Sequence, residues 1–157
     1  MAFRYCRTIR FHETDAAGVL YFSNLLTLCH EAYEAAIAAE GFELVLFFSA
    51  RGEVAVPIVH TSADFYRPLV CGDAVSVVLV AKLLGEDSFE VSYRVSRVGG
   101  DRGDGEMEEE RLSAIALTRH TCINPQTHKR QPLPSKLLAW VLNQSEADEP
   151  SAESEGA

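Results

Sequence analysis

The sequence predicts an α+β domain in which one antiparallel sheet of five strands wraps a single long helix. Three observations carry that expectation. Phe3 to Phe11 alternate between apolar and polar side chains, as a half-buried strand does. From about Phe22 to Glu40 the period turns helical, with most of the circumference apolar. Four runs rich in Val, Ile, Leu, Phe and Tyr then follow, separated by short turns. One sheet wrapped around one helix is the economical way to bury both.

In the first strand Phe3, Tyr5, Ile9 and Phe11 share one side, with Arg4, Thr8 and Arg10 on the other. A loop is expected over residues 13–20. In the helix, Leu25, Cys29, Ala32 and Ala36 line one face, flanked by Leu26, Tyr33 and Ile37. Thr27, Glu31, Glu34 and Ala38 form a narrower, less apolar strip. Ser23 or Asn24 is placed to cap the helix start, and Gly41 to close its end. Strands are expected at 53–66, 74–84, 88–98 and 109–120. The turns fall at Gly72-Asp73, at Gly85-Glu86-Asp87 and in an acidic run reaching Glu110, read as a solvated hairpin tip. A short helix is expected at 137–142, after the Pro132-Leu133-Pro134 breaker. Residues 1–143 thus read as one domain, and 144–157 as an acidic, disordered tail of Ser, Glu, Ala and Pro.

A chain of 157 residues holds one domain with a real core. No stretch has the ~18 uninterrupted apolar residues of a membrane span, and the first residues lack a signal peptide's apolar core, so a cytoplasmic protein is expected. Cys6, Cys29, Cys71 and Cys122 are scattered without a CxxC pair and share no ligand spacing with histidine. Free thiols and no metal site are therefore expected. The net charge of −9 argues against nucleic acid as a partner. Much of it sits in the tail (Glu146, Asp148, Glu149, Glu153, Glu155), leaving a mildly acidic body open to an anionic ligand.

The chemistry concentrates in Thr14-Asp15-Ala16-Ala17-Gly18-Val19-Leu20-Tyr21-Phe22-Ser23-Asn24. Asp15 stands in a small-residue loop shortly before a helix start, where unpaired N–H groups and the positive end of the dipole point outward. A carboxylate beside such donors is a base or nucleophile beside an oxyanion hole, which is what cleaving an acyl group requires. The plainer role for Asp15 is to cap its own turn. Gly18 supplies either a positive φ or a close backbone approach to a ligand.

This loop resembles the Asp-x-x-Gly motif and helix start of the hotdog-fold acyl-CoA thioesterases, in the branch that includes 4-hydroxybenzoyl-CoA thioesterase. Tyr66-Arg67-Pro68-Leu69-Val70-Cys71-Gly72-Asp73 is similar to that family's Tyr-x-x-Pro-x-x-x-Gly-Asp turn. Within the branch, the run from Asn24 to Ala35 most resembles the cyanobacterial 1,4-dihydroxy-2-naphthoyl-CoA hydrolases, which serve phylloquinone (vitamin K1) synthesis. The resemblance spans residues 5–141. It implies a homotetramer, or at least a homodimer, with sites between subunits, and hydrolysis of an aromatic acyl-CoA without metal or organic cofactor.

On that resemblance Asp15 attacks the thioester carbonyl or activates a water. The backbone N–H of Phe22 polarises the carbonyl, and the Phe22 ring packs against the acyl group or the core. Some short-chain members of the branch carry His where this chain has Phe22, which favours an aromatic acyl group. Tyr21 and His60 are candidates for the acyl pocket. Arg94, Arg97, Arg119, Lys129 and Arg130 are candidates for the CoA phosphates, with Lys129-Arg130 the best pair. Glu31 is expected to be structural or to act behind the site, and His30 to be a core or interface histidine. The alternatives are hydrolysis of 4-hydroxybenzoyl-CoA or a short-chain acyl-CoA, or a non-catalytic acyl-CoA or acyl-carrier binding module. A dehydratase would need a His base beside the loop, and a serine hydrolase a Gly-x-Ser-x-Gly elbow, which the chain lacks.

Overall fold

A computed structural model describes residues 1–99 and 109–145. The elements run β1 (Phe3–Thr8), α1 (Phe22–Ala39), α2 (Leu44–Phe47), β2 (Ile58–Phe65), β3 (Ala74–Gly85), β4 (Ser88–Arg97), β5 (Arg111–Thr121) and α3 (Ser135–Ser145). The strands form one sheet in the order β1-β3-β4-β5-β2, antiparallel throughout. Because α1 intervenes between them, β1 and β2 lie on opposite edges.

Strict alternation builds the core. Val75, Val77, Leu79 and Ala81 on β3 point inward with Phe89, Val91, Tyr93 and Val95 on β4, and Ala114 and Ala116 on β5 join them. Against them α1 buries Leu25, Leu28, Cys29, Ala32, Tyr33, Ala36 and Ile37, spaced as one broad helical face. The sheet therefore encloses the helix as expected, in the hotdog arrangement. Burial alone pushes the Cys29 thiol up to about 12, so it is an inert core side chain. All four cysteines are free. No helix among the described residues is long and apolar enough to cross a membrane.

Several boundaries differ from expectation. The first strand stops at Thr8, and Phe11 enters a 3-10 turn (Phe11–Glu13) with its ring 80% exposed rather than facing the core. The strand beginning at 53 starts instead at Ile58, since Pro57 has no N–H for the ladder. The single turn of α2 was not expected. Neither Ser23 nor Asn24 caps α1; the N-cap is Tyr21, without a side-chain bond. The last helix runs from Ser135 to Ser145 rather than from 137 to 142. Pro134 precedes it, and the Ser145 hydroxyl shares its one hydrogen between the carbonyls of Val141 (2.8 Å) and Ala81 (2.7 Å). The expected tail thus loses residues 144 and 145 to this helix, and the remainder lies outside the described residues, as does most of the acidic run before Glu110. Glu110 itself is exposed, as expected, and also accepts from the Ser76 hydroxyl at 2.6 Å and pairs with Arg4 at 3.4 Å.

Candidate active site

Asp15 opens a tight turn whose backbone closes on itself. Its N–H donates to the Val19 carbonyl at 2.9 Å, and its carbonyl accepts from Gly18 N at 3.0 Å. The turn works because Gly18 adopts φ +80°, a region that disfavours a side chain. Asp15 Oδ1 then accepts from Ala17 N (2.8 Å) and Val19 N (3.3 Å). Capping the turn therefore occupies one of the two oxygens. Oδ1 is spent on the turn, while Oδ2 receives no hydrogen bond among the described residues.

The far limb of the loop is anchored to the residues just before Asp15. Tyr21 N and Asn24 Nδ2 both donate to the Glu13 carbonyl at 2.9 Å. From there α1 begins, and Phe22, its first residue, presents an amide with no carbonyl one turn earlier in the helix to receive it. The Phe22 ring is 63% exposed, so of its two expected roles packing in the core is removed. Tyr21 stands beside it, the ring centroids 4.8 Å apart.

The Glu13 carboxylate is half of a bidentate pair with Arg7 and also accepts from Arg10 N at 2.7 Å. These bonds, led by Arg7, hold it below the usual carboxylate range despite its burial. Arg7 also faces Glu31 on α1, whose carboxylate accepts from Tyr5 OH at 3.1 Å. Arg7 Nε meets Glu31 as an ion pair, without the alignment of a hydrogen bond. Glu31 is thus a structural partner, as expected. Neither Arg7 nor Glu13 was singled out in the sequence, where the pair looks like surface charge.

The larger hollows that adjoin α1 lie at different points along it. One of about 300 Å³ sits against the loop, lined by Val19, Leu20, Leu25, Phe65, Tyr66 and Ser113. A larger one of about 550 Å³ lies farther along the helix, among His30, Tyr33, Phe47, Phe48, His120 and His128. His30 is eight residues beyond Phe22, about 12 Å away at 1.5 Å per residue. His30 also pairs with Glu34 at 3.4 Å. His60 stands exposed on β2, level with Arg119 in the ladder, and lines neither hollow.

The candidate cations are not gathered in one place. Arg94 and Arg119 project from the side of the sheet opposite the core, and Arg119 pairs with Glu90 at 2.8 Å. Arg97 pairs with Asp73 at 3.3 Å. Lys129 and Arg130 are exposed in the turn before α3, and Arg130 approaches Asp87 only at 3.9 Å.

A carboxylate on a rigid turn, next to the amino end of an enclosed helix, places the protein in a known class. The chain belongs to the Thioesterase-like superfamily, which residues 9–141 match. It is 48% identical over 139 residues to the 1,4-dihydroxy-2-naphthoyl-CoA hydrolase of Synechococcus elongatus, covering 88% of this chain and 94% of that one. The enzyme of the same name from Trichodesmium erythraeum is 44% identical over 145 residues, covering 91% and 97%. In three dimensions the chain matches the crystal structure of a 1,4-dihydroxy-2-naphthoyl-CoA thioesterase from Synechocystis with a TM-score of 0.80 at 34% identity, covering 91% and 97%.

Proposed function

We propose that this protein hydrolyses 1,4-dihydroxy-2-naphthoyl-CoA to 1,4-dihydroxy-2-naphthoate and CoA, a step of phylloquinone synthesis, in the cytoplasm. The observation that carries the reading is the divided Asp15 carboxylate: Oδ1 locked into the turn, Oδ2 open, at the amino end of α1. The acyl group is taken from relatives 44–48% identical over most of their length. Phe22 N–H receives the carbonyl oxygen as it gains charge. Asp15 Oδ2 begins the reaction, on the carbonyl carbon itself or through a water. The thiolate departs without a strong acid, since it is already a good leaving group, and the added water ends as the acid's oxygen and two protons. Gly18 sets the turn, and Tyr21 and the Phe22 ring flank the acyl group. Lys129 and Arg130 receive the CoA phosphates, being exposed and only loosely engaged. Four free thiols agree with a reducing compartment.

The site is completed in a homodimer or homotetramer. Among the described residues the β2 edge is unpaired on one side, and Val59 (62% exposed), Phe65 and Tyr66 lie along or just beyond it. A bare apolar edge of this kind is a template for a second copy. A monomeric sedimentation profile overturns the assembly.

The test is thiol release across 1,4-dihydroxy-2-naphthoyl-, 4-hydroxybenzoyl-, benzoyl- and short aliphatic CoA esters. The naphthoyl ester is expected to be the best substrate, and an aliphatic preference overturns the acyl assignment. Asp15→Asn is expected to lower kcat on the order of 10³-fold. Binding without thiol release in the unmodified protein favours a non-catalytic carrier module instead.

A further inference from the structure

We propose that Arg7, held between the carboxylates of Glu13 and Glu31, is a positioning residue that sets the Asp15 loop against the amino end of α1. The inference rests on the catalytic reading of Asp15 and adds to it the device that aims the carboxylate.

Tyr5 and Arg7 are two residues apart on β1 and therefore share its inward side, next to α1. The Arg7 side chain is only 16% exposed, a setting in which a cation needs partners. It finds two, from different elements. Glu13, at the end of the 3-10 turn, takes the terminal nitrogens in a bidentate grip. Glu31, within α1, lies against Nε and also receives the Tyr5 hydroxyl. One guanidinium therefore ties the strand, the loop and the helix together.

Glu13 passes this restraint to the reacting groups. Its side chain is fixed by Arg7 and by Arg10 N–H, and its carbonyl accepts from Tyr21 N and Asn24 Nδ2, the residues flanking the Phe22 amide. Asp15 follows two residues later. The carboxylate and the amide that must meet one carbonyl group thus hang from a single clamped residue. A buried ion cluster adds little net stability over apolar packing, but a bidentate fork fixes orientation strongly. Orientation is what this site requires, because an error near 1 Å can cost on the order of 10²-fold in rate.

The experiment measures kcat and KM for thiol release in Arg7→Met, Arg7→Lys and Glu31→Gln, each alone and combined with Asp15→Asn. Arg7→Met is expected to lower kcat on the order of 10–10²-fold while KM moves less than about threefold. Arg7→Lys is expected to recover part of that loss, since an ammonium can hold a carboxylate but cannot form the fork. In the Asp15→Asn background Arg7→Met and Glu31→Gln should lower the residual rate by a smaller factor than in the parent, because only the Phe22 amide is left to be misaimed. Should Arg7→Met fail to fold, Glu31→Gln decides, because it keeps an acceptor for Tyr5 and removes only the charge; its kcat is expected to fall about tenfold. Unchanged kcat in the folded variants, or equal losses with and without Asp15, overturns the clamp. Full turnover in Asp15→Asn alone sinks the catalytic reading itself, whereas an inactive Asp15→Asn beside fully active Arg7 and Glu31 variants sinks only the clamp.

Discussion

On the side that faces β1, α1 meets charges through Glu31, and on the side that carries Tyr33 it meets rings. The first region joins Arg7, Glu13 and Glu31 through directional bonds and leaves Tyr21 and Phe22 exposed. In the second, Tyr33 is packed by Trp140 (5.9 Å between centroids), His120 (4.9 Å), Phe47 and Phe48, and His120 stacks flat on Phe89 at 4.7 Å. Burial drives His120 down to about 4, outweighing its bond to the Val56 carbonyl, so near neutral pH it is a flat, uncharged ring. Its Nε2 is matched with the Thr118 hydroxyl at 2.8 Å. One helix thereby separates two tasks. One face is held by directional bonds between charges, and the other by ring packing beside the hollow of about 550 Å³.

The division can be broken first at Trp140. Trp140→Ala is expected to cost about 3–5 kcal/mol in chemical denaturation. Trp140→Phe should cost far less, because the indole N–H is buried without a partner among the described residues. If Trp140→Ala also abolishes turnover at temperatures where it stays folded, the two regions are not separate.

The next test is acid. His120 binds a proton near 6.5 when unfolded but only at about 4 when folded, so the unfolded chain takes up more protons between those values. Stability is full above pH 6.5 and is lost as pH falls toward 4, by about 3 kcal/mol. Urea midpoints across this range should show the slope, and His120→Phe should flatten it. Below that window, protonating Glu13 removes its contribution as well, since its folded pKa is depressed mainly by Arg7. The smallest effect is expected at Gly18. With φ at +80° and no atom near an added Cβ, Gly18→Ala should cost about 1–2 kcal/mol through the backbone alone. Its signature should be a kcat loss larger than that small stability change accounts for, which sharpens the assignment of this turn to the charged side.

Much of this was legible along the chain. Asp15, Gly18 and the start of α1 are contiguous, and the loop's chemistry is local: an acid before a helix start, and a glycine where φ turns positive. Phe11 misled because alternation continues past the point where the ladder ends, and a 3-10 turn then swings the ring outward. The Arg7–Glu13–Glu31 cluster was invisible because Arg7 and Glu31 meet only after β1 and α1 pack together, and either taken alone reads as surface charge. Tyr33, His120 and Trp140 come from three distant elements, so no spacing announces their contact.

By itself the sequence determined which segments become strand or helix, which faces they bury and where the Asp15 loop lies. Those properties follow from side-chain period and turn chemistry within a few residues. Tertiary structure decided which carboxylates share one guanidinium and which imidazole remains neutral. Each depends on groups far apart in the chain, and on how much water is left between them once the sheet closes on the helix.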